Sequence, residues 1–284
     1  MVKKFKDKLK IYAHDPLSLI IFLAVNFAIL ATVAVLLFII LFVIVRGAPH
    51  ITPSLFELKY TTDNVSVMPA IISTLIIVGT SLIIAVPLGI GCAIYLVEYA
   101  NRNNRFVKYV RITTETLSGI PSIVYGLFGM LFFVTTLKLR LSLLSGAFTI
   151  SIMILPLIIR STEEALKSVP DTFREASFGL GAGKLRTVFK IVLPSAIPGI
   201  LAGVILAIGR IIGETAALIY TAGTATALPE NLLSSGRTLT VHMYVLSNQG
   251  LYTNQAFATG VILLAIILLL NGLASLIAKK LQKK

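Results

Sequence analysis

Apolar residues run in six long blocks separated by short polar stretches: Leu17–Val45, Val67–Val97, Leu117–Leu137, Leu141–Ile159, Val192–Tyr220 and Ala256–Ala278. A helix needs about 20 mostly apolar residues to cross a bilayer. The pattern therefore predicts an all-α integral membrane protein with six transmembrane helices and both termini on one side. Almost nothing separates the third and fourth blocks. Lys138 and Arg140 mark the turn there, which predicts a tight antiparallel hairpin.

Composition leads to the same class. With 56% apolar residues, 13% charged residues and a mean hydropathy of +0.93, a soluble domain of this length has too much apolar surface to hide. Lys and Arg set the orientation, because cytoplasmic segments collect them. With a cytoplasmic N-terminus, nineteen of the 25 basic residues lie on the cytoplasmic side and five on the outer side (Arg46, Lys59, Lys138, Arg140, Arg237), with Arg210 inside a block. The net charge of +13 then reads as a topology signal and a match to anionic lipid, with no nucleic-acid partner expected. The basic start resembles that of a signal peptide, but the apolar run after it far exceeds the roughly 7 to 15 residues of an h-region and is expected to stay as the first helix. A lone cysteine, Cys92, excludes a disulfide framework and a Cys-based metal site. His14, His50 and His242 show no ligand spacing, so no metal site is expected.

The polar segment between the fourth and fifth blocks has its own helical logic. Pro170 suits a first helical turn, predicting a helix start near Ser168 to Asp171. Phe173, Ala176, Ser177 and Leu180 fall at i, i+3, i+4 and i+7, leaving Arg174 and Glu175 outside that face. Gly181 suits a left-handed helix end. A second short helix is predicted after Gly183, with Leu185, Val188, Phe189 and Val192 on one face. Two small amphipathic helices would thus meet at a glycine corner. The glycine-rich run Gly179–Lys184 is not a P-loop: Phe178 stands where the first glycine belongs and Leu185 where the hydroxyl after the lysine belongs. This chain is expected neither to bind nor to hydrolyse ATP. No catalytic residues are expected.

Arg210 and Glu214 are the other outliers, both inside the fifth apolar block. For a helix starting near Pro198, Arg210 lies about 12 residues in, or roughly 18 Å, near mid-bilayer. A charge there costs roughly 2.5 to 3.5 kcal/mol by insertion data, so it should face a partner or a wet cavity. Gly199, Gly203, Arg210 and Glu214 share one face of such a helix. In one reading the two charges pair and the glycines admit a neighbouring helix. In the other, the guanidinium fork serves an anionic substrate.

The segment Glu175-Ala176-Ser177, three residues, Gly181, nine residues, Ile191-Val192-Leu193-Pro194 resembles the EAA coupling loop of the membrane subunits of ATP-binding-cassette importers, with serine in place of the second alanine. The runs Ala207–Ala216, Leu117–Gly126, Leu155–Glu164 and Leu239–Tyr244 narrow the resemblance to the permease subunits of phosphate importers, PstA type. The resemblance covers the chain from about Val67 onward.

That resemblance implies a type I importer permease fold that forms half of a translocation path. It implies substrate-pathway roles for Arg210, Glu214 and Arg160, with Ser118 and Ser122 as helix-capping or path-lining groups. Arg174, Glu175, Ala176, Ser177 and Gly181 would couple to an ATPase. The chain itself would carry no cofactor, ATP and Mg residing on a partner. The implied partners are a related permease (PstC type), an ATP-binding dimer (PstB type), a phosphate-binding protein (PstS type), phosphate and membrane lipid, in a prokaryotic inner membrane. The expected division is 1–66 (basic segment, first helix and outer loop), 67–278 (transmembrane domain, coupling loop about 161–194) and 279–284 (basic tail). A permease for molybdate or sulfate, and a channel or intramembrane enzyme, are the competing readings.

Overall fold

A computed structural model describes residues 15–101 and 105–282, and their regular structure is helical, with the longest non-helical connection at 222–238. The basic N-terminal segment and the last two lysines, part of the charge argument, lie outside the described residues. Five helices are long and apolar enough to cross a membrane, or six when a pair bent by 103° is counted as one span. In chain order the α-helices are α1 (Pro16–Gly47), α2 (Met68–Ile94), α3 (Arg105–Ser118), α4 (Ser122–Gly129), α5 (Leu143–Lys167), α6 (Asp171–Gly179), α7 (Lys184–Thr187), α8 (Leu193–Ile212), α9 (Ala216–Thr221), α10 (Leu239–Gln249) and α11 (Thr253–Gln282). Wider π turns extend α2 through Tyr99 and α4 through Thr136, and join α7 to α8.

α5 is the hub. It packs along α2 on one side and α8 on another, burying Ile150, Ile154 and Ile158 completely. α1 is apolar all round with nothing buried in its most apolar stretch, as suits a helix whose solvent is lipid. It touches the bundle chiefly through α11, where a side chain at Gly47 would collide with the Phe257 backbone. Gly199 and Gly203 perform the packing role read for them. A methyl at Gly199 would stand 2.7 Å from Ala165 Cβ, and one at Gly203 would overlap Ser161, both on α5.

The hairpin between the third and fourth spans is as tight as expected. Its turn forces Lys138 and Arg140 into the left-handed region at φ 55° and 57°. Two expected helices, however, are broken. The third span starts at Ser122, not Leu117, because Pro121 cannot continue a helix from α3, and the two segments meet at 103°. The fifth block is not one helix either. The chain runs helically from Lys184 to Ile212, stops at Gly213, and restarts as α9. Hydropathy averages over such a break and does not register it.

At the end of the bundle where α2 begins, Arg237 is buried beneath the Tyr60 ring, 4.7 Å from its centre, and His242 is fully buried with neither ring nitrogen hydrogen-bonded among the described residues. Burial first, and the charge of Arg237 second, hold the imidazole at about 3. A histidine depressed from 6.5 stays neutral in the folded state while the unfolded chain takes up a proton. Its contribution is complete above pH 6.5 and is lost as pH falls toward 3, with a slope of about 1.4 kcal/mol per pH unit for one proton. Thermal unfolding in nanodiscs between about pH 7.5 and 4.5 should show that slope in the parent chain and a shallower one in His242→Phe.

Candidate functional site

Two regions concentrate the residues singled out in the sequence: the polar corner α6–α7 and a pair of cavities divided by one turn of α5.

At the corner, Pro170 precedes α6 and Gly181 takes φ +81°, as its position requires. Of the face read from periodicity only Ser177 turns inward; Phe173, Ala176 and Leu180 are exposed. Arg174 turns inward with its side chain 15% exposed, while Phe173, Phe178 and Leu180 point outward at 48%, 48% and 89%. The reason is the number of acceptors waiting for the guanidinium. Its Nη2 donates to Glu98 Oε1 at 2.6 Å and to Leu166 O, and its Nη1 donates to Val169 O and Asp171 Oδ1. Glu98 lies in the π turn that ends the second span, so Arg174 fastens the corner to that helix. Lys184 adds a second tie, its Nζ 5.0 Å from the centre of the Tyr99 ring. Ser177 is buried, and its hydroxyl shares a 2.8 Å hydrogen bond with that of Thr187. The serine that departs from the EAA pattern thus clips α6 to α7. Glu175 and Ala176 are exposed. The second short helix does not stand alone: α7 is the first turn of the fifth span, and the π turn after it buries Val188 and Val192 while leaving Leu185 and Phe189 exposed.

Arg210 occupies the last turn of α8, where the free carbonyls of a helix C-terminus favour a cation. It makes no ion pair among the described residues. The expected intrahelical partner is elsewhere: Glu214 lies beyond the helix end, 9% exposed, its Oε1 accepting from Ala217 N to cap α9. Arg210 instead lines a cavity of about 510 Å³ with Leu157, Ala202, Ile205, Leu206, Gly209 and Asn271.

A second cavity, of about 230 Å³, is lined by Arg111, Ser118, Pro156, Ile159, Arg160 and Glu163 among others. Leu157 faces the first cavity and Pro156, Ile159 and Arg160 the second, so a single turn of α5 separates them. Glu163 is the anchor here, 2.6 Å from Lys167 Nζ and 3.5 Å from Arg111 Nε. Arg160 makes an exposed pair with Glu164 at 3.2 Å, a contact of little energetic weight. Ser118 donates to Glu115 O, tying down the end of α3 while lining this cavity. Ser122 opens α4 and lines neither cavity. Asn271 was missed in the sequence, although a lone amide in the apolar sixth block was the signal to find it. No group of three potential metal ligands gathers among the described residues, and His14 lies outside them.

Broken membrane helices, a polar corner at one end and a cation at a helix break define the membrane-embedded subunit of a solute transporter. The chain belongs to the family of binding-protein-dependent transport system inner membrane components, whose model matches residues 85–283. It is accordingly a multi-pass permease subunit and not an enzyme. It is 36% identical over 220 residues to the probable ABC transporter permease protein YqgI of Bacillus subtilis, covering 72% of this chain and 74% of that one. It is 32% identical to the phosphate transport system permease protein PstA of Haemophilus influenzae, over 80% of this chain and 82% of the relative. Against PstA 1 of Mycobacterium tuberculosis the identity is 40%, over 54% of this chain and half of the relative. In fold it resembles a chain of a bacterial alginate ABC transporter crystallised with its periplasmic protein, with a TM-score of 0.67 at 16% identity, covering 97% of this chain and 98% of that one.

Removing one partner of the Arg174–Glu98 pair leaves the other charge sequestered, which costs about 3 to 5 kcal/mol. Arg174→Ala and Glu98→Ala should each lower thermal stability, and the double variant should lose clearly less than the sum of the two. Ser177→Ala, which restores the EAA pattern, should cost only about 1 kcal/mol, since it deletes one hydroxyl of a two-hydroxyl contact.

Proposed function

We propose that this chain forms half of the membrane path of an ATP-driven phosphate importer, oriented with the α6–α7 corner in the cytoplasm, and that Arg210 carries the anion through its middle. The observation behind this reading is a guanidinium without an ion-pair partner among the described residues, at a break in an apolar helix and opening on a cavity. Such a group is expensive in a membrane and gains its return only from an anion or water. Its fixed charge and planar fork match a tetrahedral oxyanion, and relatives at 32% and 40% identity are named as phosphate permeases.

Arg160 extends the path across the one turn of α5 to the cytoplasmic cavity, and Glu214 holds the break open by capping α9. Ser118 contributes a path-lining hydroxyl, and Ser122 a structural helix start. A PstC-type permease supplies the other half, and a PstS-type binding protein delivers phosphate to the outer face. A PstB-type ATPase dimer, bearing ATP and Mg, grips the exposed rim of Phe173, Phe178, Leu180, Leu185 and Phe189. Its closure moves α6, with Glu175 and Ala176 on the docking side. Arg174 passes the displacement to the second span through Glu98, and Ser177 passes it to the fifth through Thr187. A permease for molybdate or sulfate would share the corner, and competition against labelled phosphate separates these readings.

Arg210→Lys keeps the charge and removes the fork. It should assemble normally and take up phosphate about tenfold more slowly in proteoliposomes, and unchanged uptake would reduce Arg210 to packing. Gly181→Val places a β-branched residue at φ +81°, a strained conformation for it. It should leave ATP turnover running while uptake collapses, and normal uptake would remove the coupling role from the corner.

A further inference from the structure

Asn271 sits 18 residues from the start of α11 and 11 from its end, roughly 27 and 16 Å along the axis. An amide so deep in an apolar helix is ordinarily explained as glue between helices, hydrogen-bonding across to a neighbour. That explanation lacks its contact: the Asn271 Oδ1 is shut off from solvent and has no hydrogen-bond partner among the described residues. A buried amide carbonyl without a partner costs free energy that a leucine would not. What Asn271 does have is a place in the wall of the same cavity as Arg210, where every other lining group is apolar or glycine. Tyr125, the hydroxyl whose electrostatic environment includes Arg210, is already spent on Leu117 O at 2.8 Å.

We propose that Asn271 is the second, uncharged contact for the translocated oxyanion. The chemistry of the pair is complementary. Arg210 offers only donors, whereas an amide offers donors and an acceptor. Phosphate near neutral pH presents both bare oxygens and at least one P–OH, so the guanidinium and the amide N–H bind the former while the amide carbonyl, shut off from solvent in this conformation, turns into the cavity to accept from the latter. A second charge at this depth would bind the anion too tightly to release it, and a neutral partner adds direction without that cost. The inference rests on the reading of Arg210 as a pathway residue.

The test uses the complete transporter, with binding protein and ATPase, in proteoliposomes supplied with labelled inorganic phosphate. Asn271→Leu conserves volume and suits lipid, so a merely structural asparagine would be replaced without loss. The proposal predicts uptake about tenfold lower with assembly and ATP turnover intact, and partial recovery in Asn271→Gln. If leucine disturbs assembly, Asn271→Ala gives the same loss. Asn271→Asp should be nearly inactive at about pH 8 and regain uptake as pH falls toward 6, as the introduced carboxyl takes a proton. Uptake within twofold of the parent for Asn271→Leu, or a flat pH profile for an active Asn271→Asp, would overturn the proposal. If Arg210→Lys slows uptake and Asn271→Leu does not, only the role of Asn271 falls. If neither matters, the reading of the cavity falls with it.

Discussion

Hydrocarbon offers a backbone no hydrogen-bond partners, so a chain that crosses it must stay helical except where protein or trapped polar groups take over. That constraint gives the two helix breaks of this permease their meaning. At Gly119–Pro121, the Leu117 carbonyl accepts from Ile120 N and from the Tyr125 hydroxyl. At Gly213–Thr215, the Glu214 carboxylate receives Ala217 N and the Glu214 carbonyl receives the Thr240 hydroxyl. Both breaks are held by specific side chains, and the second leaves a guanidinium at the helix end beside a cavity. Discontinuous helices whose ends face a central site recur among membrane transporters, and here the physical reason is visible residue by residue.

The two ends of the molecule are built differently. Where α2 begins, the buried Arg237 and His242 pack against the half-buried Tyr60 ring. Where α2 ends, Arg174, Glu98, Lys184 and Tyr99 form a joint between a small surface helix and a long membrane one. α6 is thus tied to the second span by an ion pair of low exposure and to the fifth span by the Ser177–Thr187 clip and a continuous helix. The aromatic and aliphatic rim around this joint is exposed among the described residues, as befits a surface completed by another subunit.

Much of the fold was legible in the sequence. The apolar blocks gave the spans, the pair Lys138 and Arg140 marked the hairpin turn, and Gly181 carried the conformation its spacing called for. What could not be read depended on tertiary choice. Periodicity placed Phe173 and Leu180 inward because apolar residues usually go there, yet Arg174 took the inner face once Glu98 and the carbonyls of Leu166 and Val169 were brought within reach. Arg210 and Glu214 stand at i and i+4 in sequence, and whether they pair depends on whether the helix continues past Gly213. Asn271 was visible as a single amide in a lipid-like run, but its significance needed the cavity that joins it to Arg210.

The central claim is that the Arg210 cavity is the passage and that it opens alternately to the two sides. Leu206 lines this cavity and is well exposed, and the single native thiol, Cys92, can be replaced by serine. A cysteine placed at position 206 in the assembled transporter, probed with a membrane-impermeant thiol reagent from each side, reports access directly. The account predicts labelling from one side at rest and from the other after the ATPase is trapped closed. Labelling from neither side in both states would mean that the cavity faces lipid, and would contradict it.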